Sequence, residues 1–258
     1  MKKYFFRRLI RSKTCYFSLL VGCFLTFLNF IVDIYPYRAD QNVPYTIWFE
    51  SYTVSQFASI FFVILPILAA LPCANILYRD QINGYLDIVI SRNSEKKYFK
   101  NLFIVNAITG GLVIALPLLL NIYLCFMTLP NQQITLESVD PRIVTFRNSL
   151  TLFPRLFYEH SFLHMMLYVL LGFIAGAICA SLSLGLSWYV RHVVYVYIIP
   201  LAIMQVIDLF PLKSISLVSI SRQMSGASDL KLVLLTLIVY TLITIFIYIN
   251  GIRRKVIL

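Results

Sequence analysis

Residues 102–126 read LFIVNAITGGLVIALPLLLNIYLCF, 25 positions without one Asp, Glu, Lys, Arg or His. A helix rises 1.5 Å per residue, so a run of this kind is long enough to cross the ~30 Å hydrocarbon layer of a bilayer. Five further apolar runs approach the same length, at about 15–35, 57–77, 161–184, 193–209 and 232–250. The composition agrees: 60% of the 258 residues are apolar and 13% charged, against roughly 45–50% and about 25% in a soluble domain. Such a chain cannot cover its surface with polar groups, and its aromatic and aliphatic load excludes intrinsic disorder. The expected fold is all-α: a polytopic membrane protein with six transmembrane helices, forming a single membrane domain over 1–258.

Charge predicts the orientation. The formal net charge of +11 would suggest nucleic acid in a soluble protein. Here it fits the accumulation of Lys and Arg on the cytoplasmic face of a membrane, with no nucleic acid as partner. With residues 1–13 in the cytoplasm, fifteen of the 22 basic residues fall inside, but only three of the 11 acidic ones. That bias places both termini in the cytoplasm and requires an even number of spans.

Two inside segments carry more than charge. In 1–13, the rings of Tyr4, Phe5 and Phe6 are followed by Arg7, Arg8 and Arg11, mixed with Leu9 and Ile10 at near-helical spacing. This is the pattern of an amphipathic interfacial helix whose arginines face anionic lipid, or of a basic flank that sets topology. The loop 78–101, between the second and third spans, contains Ile82, Tyr85, Leu86 and Val89 at i, i+3, i+4 and i+7. That spacing predicts one apolar stripe on a short helix, followed by a Ser94-capped helix with Lys96, Lys97 and Lys100 on its wet side.

This loop resembles the one between the second and third spans of the type-2 ATP-binding-cassette (ABC) permease family. An acidic residue, Asp80, precedes Gly84 and Leu86, then Ser91 and a basic helix through Lys100. Asp80 stands where Glu is common and Tyr85 where Thr is common. In that family the loop is a coupling helix that docks on an ATPase subunit, so the resemblance implies ATPase coupling by Asp80, Ile82, Gly84, Tyr85, Leu86, Val89, Ser91 and Arg92. On this basis Leu86→Asp should cut ATPase association. The resemblance also implies a multi-pass protein of a bacterial plasma membrane, paired with a second permease chain, identical or different, and with two ATPase copies that hold ATP and Mg. It further implies short helices before the last span that close the outer exit. From residues 210–228 alone, a plain loop is an equal reading.

Gly172, Gly176 and Ala180 make one side of the fourth span small, a helix-packing face used within the chain or between subunits. Glu159, His160 and His164 are the one cluster that suggests a metal, but the HExxH order and a third ligand are missing, so no metal site is expected. Five cysteines form no CxxC pair and suggest neither zinc nor a disulfide framework. Asp33 and Asp208 fall near outer span ends, within reach of water.

No ionisable group lies mid-span, which disfavours a self-contained ion-coupled pump, and no GxxxxGK[ST] occurs. No cofactor is expected on this chain. The expected function is the permease subunit of an ABC exporter, not itself an enzyme. It would move a hydrophobic or amphipathic cargo (peptide such as a bacteriocin, lipid or drug) outward on ATP hydrolysed by its partner. A non-transporting membrane scaffold or immunity protein is the alternative. A membrane-embedded enzyme would need a converging nucleophile, base and oxyanion donors, and no GxSxG or HExxH motif supplies them.

Overall fold

The computed structural model describes residues 5–8, 12–39, 43–49, 55–72, 74–92, 95–132, 150–190, 192–210, 213–223 and 226–257, and among these there is no strand. Helix α1 (Lys13–Asn29) continues into a π-helical turn, Phe30–Ile34, and a 3-10 turn, Tyr35–Ala39. A short α2 (Pro44–Ile47) precedes α3 (Gln56–Ala70), α4 (Ala74–Ile82), α5 (Tyr85–Arg92) and α6 (Glu95–Thr128). There follow α7 (Pro154–Glu159), α8 (Ser161–Leu186), α9 (Val193–Asp208), a 3-10 turn at Lys213–Ile215, α10 (Leu217–Ile220) and α11 (Leu230–Ile257).

Four segments are long and apolar enough to cross a membrane: Lys13–Ile34, Glu95–Thr128, Ser161–Leu186 and Leu230–Arg253. The protein is therefore an all-helical membrane protein by length and composition. The other two expected runs give shorter helices, α3 of 15 residues and α9 of 16. The run expected to continue from 57 to 77 stops at Ala70, where Leu71 and Pro72 turn the chain before α4. Proline lacks the amide hydrogen that would carry the helix on. The third run is longer than its apolar core: its helix begins at Glu95, as expected, and carries the basic stretch Lys96–Lys100 straight into the span.

Helix α8 is central, with 72% of its most apolar window buried against 28% for the first and last candidate spans. Its small face meets α6. A Cβ added to Gly176 would lie 2.8 Å from the Gly110 carbonyl oxygen, and one added to Gly172 would lie 2.9 Å from Leu118. A Cβ on Gly110 would collide with the Ala180 Cβ. Gly172, Gly176 and Ala180 are thus occupied within the chain, where close backbone approach maximises dispersion contact. Helix α1 packs along α6, with Gly22 against Pro117. Segment 213–223 folds back over the bundle as two short helices, with Leu217, Val218 and Ile220 buried. Among the described residues of 210–228 this is the helical alternative, not the plain loop.

Candidate functional site

A second hydrophobic cluster, separate from the main core, forms at the basic end of the bundle. It brings together Phe5, Ile76, Leu77, Leu86, Tyr98, Phe99, Leu102, Leu184 and Tyr248. Helix α4 ends through Asn83 N–H to the Arg79 carbonyl (3.0 Å) and Gly84 N–H to the Gln81 carbonyl (3.2 Å). Gly84 takes φ +64°, the left-handed conformation that lets glycine close one helix and allow another to start. Helix α5 then begins at Tyr85.

The break divides the expected stripe. Leu86 is fully buried and Val89 packs on the cluster, whereas Ile82, one helix earlier, is 66% exposed. Ile88, which the spacing did not single out, is also mostly exposed. The four positions therefore do not form one helix face, because the φ at Gly84 rotates α5 relative to α4. The backbones of Ser91 and Arg92 belong to α5, and their side chains lie outside the described residues, as does Ser94.

Asp80 is the chemical centre of this end. Arg8 Nη1–H donates to Asp80 Oδ2 at 2.8 Å and Arg8 Nη2–H to Oδ1 at 2.6 Å. The Tyr98 hydroxyl donates to Oδ2 at 2.6 Å. Phe5 packs edge-on against Tyr98, centroid to centroid 5.2 Å, and the Arg8 guanidinium stands 6.0 Å from the Tyr85 ring centre. A carboxylate that is 1% exposed at the negative end of its own helix dipole needs such donors, and the forked guanidinium meets both oxygens at once.

Two expectations are corrected here. Arg8, expected either to face lipid phosphate or to serve as a basic flank, is bound to Asp80. Asp80, expected on a docking surface, is turned inward. Burial of a lone carboxylate costs far more than exposure of an arginine, so the pair closes on itself. Arg7 is exposed, and Arg11 lies outside the described residues.

At the opposite end one network is built of neutral groups. Gln223 Oε1 accepts from Trp48 Nε1–H, which turns the Gln223 amide nitrogen toward His164 Nδ1 at 3.2 Å. That nitrogen donates, so the ring proton of His164 sits on Nε2, facing the Leu152 carbonyl (2.9 Å) and Thr151 Oγ1 (3.2 Å). Leu152 N–H donates to the Tyr168 hydroxyl at 2.9 Å. Nearby, Asp33 Oδ2 accepts from Ser55 Oγ (2.6 Å) and Asn29 Nδ2 (3.1 Å), and Asn121 Oδ1 accepts from the Phe49 amide at 2.8 Å. Asp208 accepts from Ser219 Oγ at 2.8 Å. Burial raises the Tyr45 hydroxyl pKa, and this hydroxyl donates to Asn131 at 2.7 Å.

The structure separates the Glu159, His160 and His164 cluster. His164 points into the bundle, while Glu159 and His160 are exposed at a small surface pocket with Tyr45. Among the described residues no three His, Cys, Asp or Glu side chains converge. Tyr98, Trp48, Gln223, Asn29 and Asn121 were not visible as site residues in the sequence. The one signal they carried was their polarity within an apolar chain, since a buried polar group requires a partner.

No family model matches the chain, and no curated protein or solved structure matches it.

Proposed function

We propose that this chain is the membrane subunit of a type-2 ABC exporter of a bacterial plasma membrane. It works with a second permease chain and two copies of an ATPase that binds Mg and ATP. In this reading α3 and α9 supply the second and fifth of six passes, and the basic end is cytoplasmic. At 15 and 16 residues these helices cover about 22–24 Å, so the bilayer thins locally or their flanks complete the crossing.

The carrying observation is the α4–Gly84–α5 hairpin. Asp80 and Leu86 bind it inward to Arg8, Tyr98 and the start of α6, while Ile82 and Ile88 stay exposed on its outer surface. A partner gripping that surface moves a rigid body connected to three candidate spans, and coupling needs such a link with different contacts in two states. The apolar walls of the bundle suit a hydrophobic or amphipathic cargo.

The test is co-purification with a candidate ABC ATPase subunit, followed by cargo-stimulated ATP hydrolysis. Ile82→Asp is expected to cut association at least tenfold with an unchanged melting temperature. Leu86→Asp cannot serve here, since its site is fully buried and the hairpin itself would be lost. Undiminished association of Ile82→Asp, or pumping by the chain alone, would overturn the reading.

A further inference from the structure

Helix α11 packs along α8 and leaves a groove of about 610 Å³ between itself and the first turns of α6. The Tyr248 hydroxyl reaches across and donates to the Phe99 carbonyl at 3.0 Å, forming the floor. Above it, Phe103 and Ile104 of α6 face Ile245 and Ile249 of α11. A further 190 Å³ space shares Phe103 and Ile245 and continues to Ala107 and Thr241. From Lys96 to Ala107 the furrow is about 16 Å long at 1.5 Å per residue, close to half the ~30 Å hydrocarbon layer. It therefore runs the depth of one leaflet.

Its mouth is charged. Lys96 and Lys100 are exposed, lie one turn apart on the same face of α6, and both line the opening beside Glu95. The end of α11 adds exposed Arg253. We infer that this groove is a binding site for one anionic phospholipid: an acyl chain lies along Phe103, Ile104, Ile245 and Ile249, and Lys96 and Lys100 hold the phosphodiester. A second copy of the chain is a poorer occupant. Pairing of this face about an axis normal to the membrane would set the lysines of both copies at the same depth, where like charges oppose association. Unlike Arg8, which is paired with Asp80, these lysines sit where lipid arrives. The inference rests on membrane embedding alone and stands or falls independently of ATPase coupling.

The experiment uses the full chain with Trp48→Phe, which leaves Trp188 as its one tryptophan. Trp188 lies 5.4 Å from the Phe99 ring, centroid to centroid, just beneath the groove. In nanodiscs, acyl-brominated phosphatidylglycerol should quench this tryptophan at lower mole fraction than brominated phosphatidylcholine. The preference should fall about fivefold for each of Lys96→Gln and Lys100→Gln, and rise in Glu95→Gln. Equal quenching by the two lipids, or a preference that survives the double lysine substitution, would overturn the inference. So would absence of quenching together with chain-to-chain disulfide formation in Ile249→Cys, which would mean that a second copy covers the groove. Should Trp48→Phe not fold, native mass spectrometry of the unmodified chain and its lysine variants reads the same preference, as the mass of lipid retained after detergent exchange.

Discussion

The two ends of the bundle are fastened by different chemistry. At the basic end a single carboxylate, Asp80, gathers Arg8 and Tyr98, and the arginine keeps 30% of its side chain exposed. At the opposite end Trp48, Gln223, His164, Thr151 and Tyr168 form a neutral, buried relay in which the Trp48 bond orients Gln223 and Gln223 sets the tautomer of His164. The charge pair draws its strength from two partners and fails when either is removed. The neutral relay distributes its energy over several bonds worth about 1 kcal/mol each. A hairpin that carried force, as proposed above, would gain from a strong point attachment, whereas the opposite end spreads its fastening over many weaker bonds.

The glycine-packed shaft of α6 and α8 joins the two ends, and breaking it should remove the contrast altogether. Gly110→Leu would drive a side chain into Ala180 and the Ala69 carbonyl oxygen, neither of which can retreat. We expect a loss of about 3 kcal/mol or more, seen as failure to elute as a monodisperse species. Arg8→Ala, next in size, leaves Asp80 buried without its cation and should cost about 3 kcal/mol, the low end for a broken buried pair because the arginine is partly exposed. Cleavage by protease within 78–92 should rise while the opposite end stays protected. In a double-mutant cycle, Arg8→Ala with Asp80→Asn should cost less than the two single losses added.

At the neutral end, Gln223→Leu deprives Trp48 Nε1 and His164 Nδ1 of partners at once and should cost about 2 kcal/mol. Its effect on protease protection should be the reverse of that of Arg8→Ala. If both substitutions loosen both ends equally, the ends are one cooperative unit and the comparison fails. The smallest effect is expected at Gly84→Ala. No atom stands within 4 Å of an added Cβ, but φ of +64° remains, a strain of roughly 1–2 kcal/mol. If the proposed complex with an ATPase forms, Gly84→Ala should lower ATP turnover more than stability, which separates a mechanical hinge from a mere helix stop.

Much of the architecture was legible in the residues. Apolar runs without charge marked the long helices, and the small face at Gly172, Gly176 and Ala180 announced a close helix contact. Gly84 lay inside what periodicity read as a continuous stripe, because spacing alone does not report a positive φ. Pro72 similarly shortened the second run. The sites were less legible. Arg8 and Asp80 are 72 positions apart, and Trp48 and Gln223 are 175 apart. Read alone, Arg8 pointed to lipid or to a topology-setting flank and Asp80 to a docking surface, while Trp48 and Gln223 named no partner at all.

What the chain dictated locally was its solvent: hydropathy is a sum over neighbours in sequence, and a run of 25 uncharged residues must leave water whatever the rest of the molecule does. Which polar side chain would meet which was decided only when packed helices brought distant turns to one depth. The penalty for an unpaired buried polar group arises in three dimensions and depends on who stands opposite. Asp80 faces Arg8 and Tyr98 for that reason, and Lys96 and Lys100 face the groove beside α11.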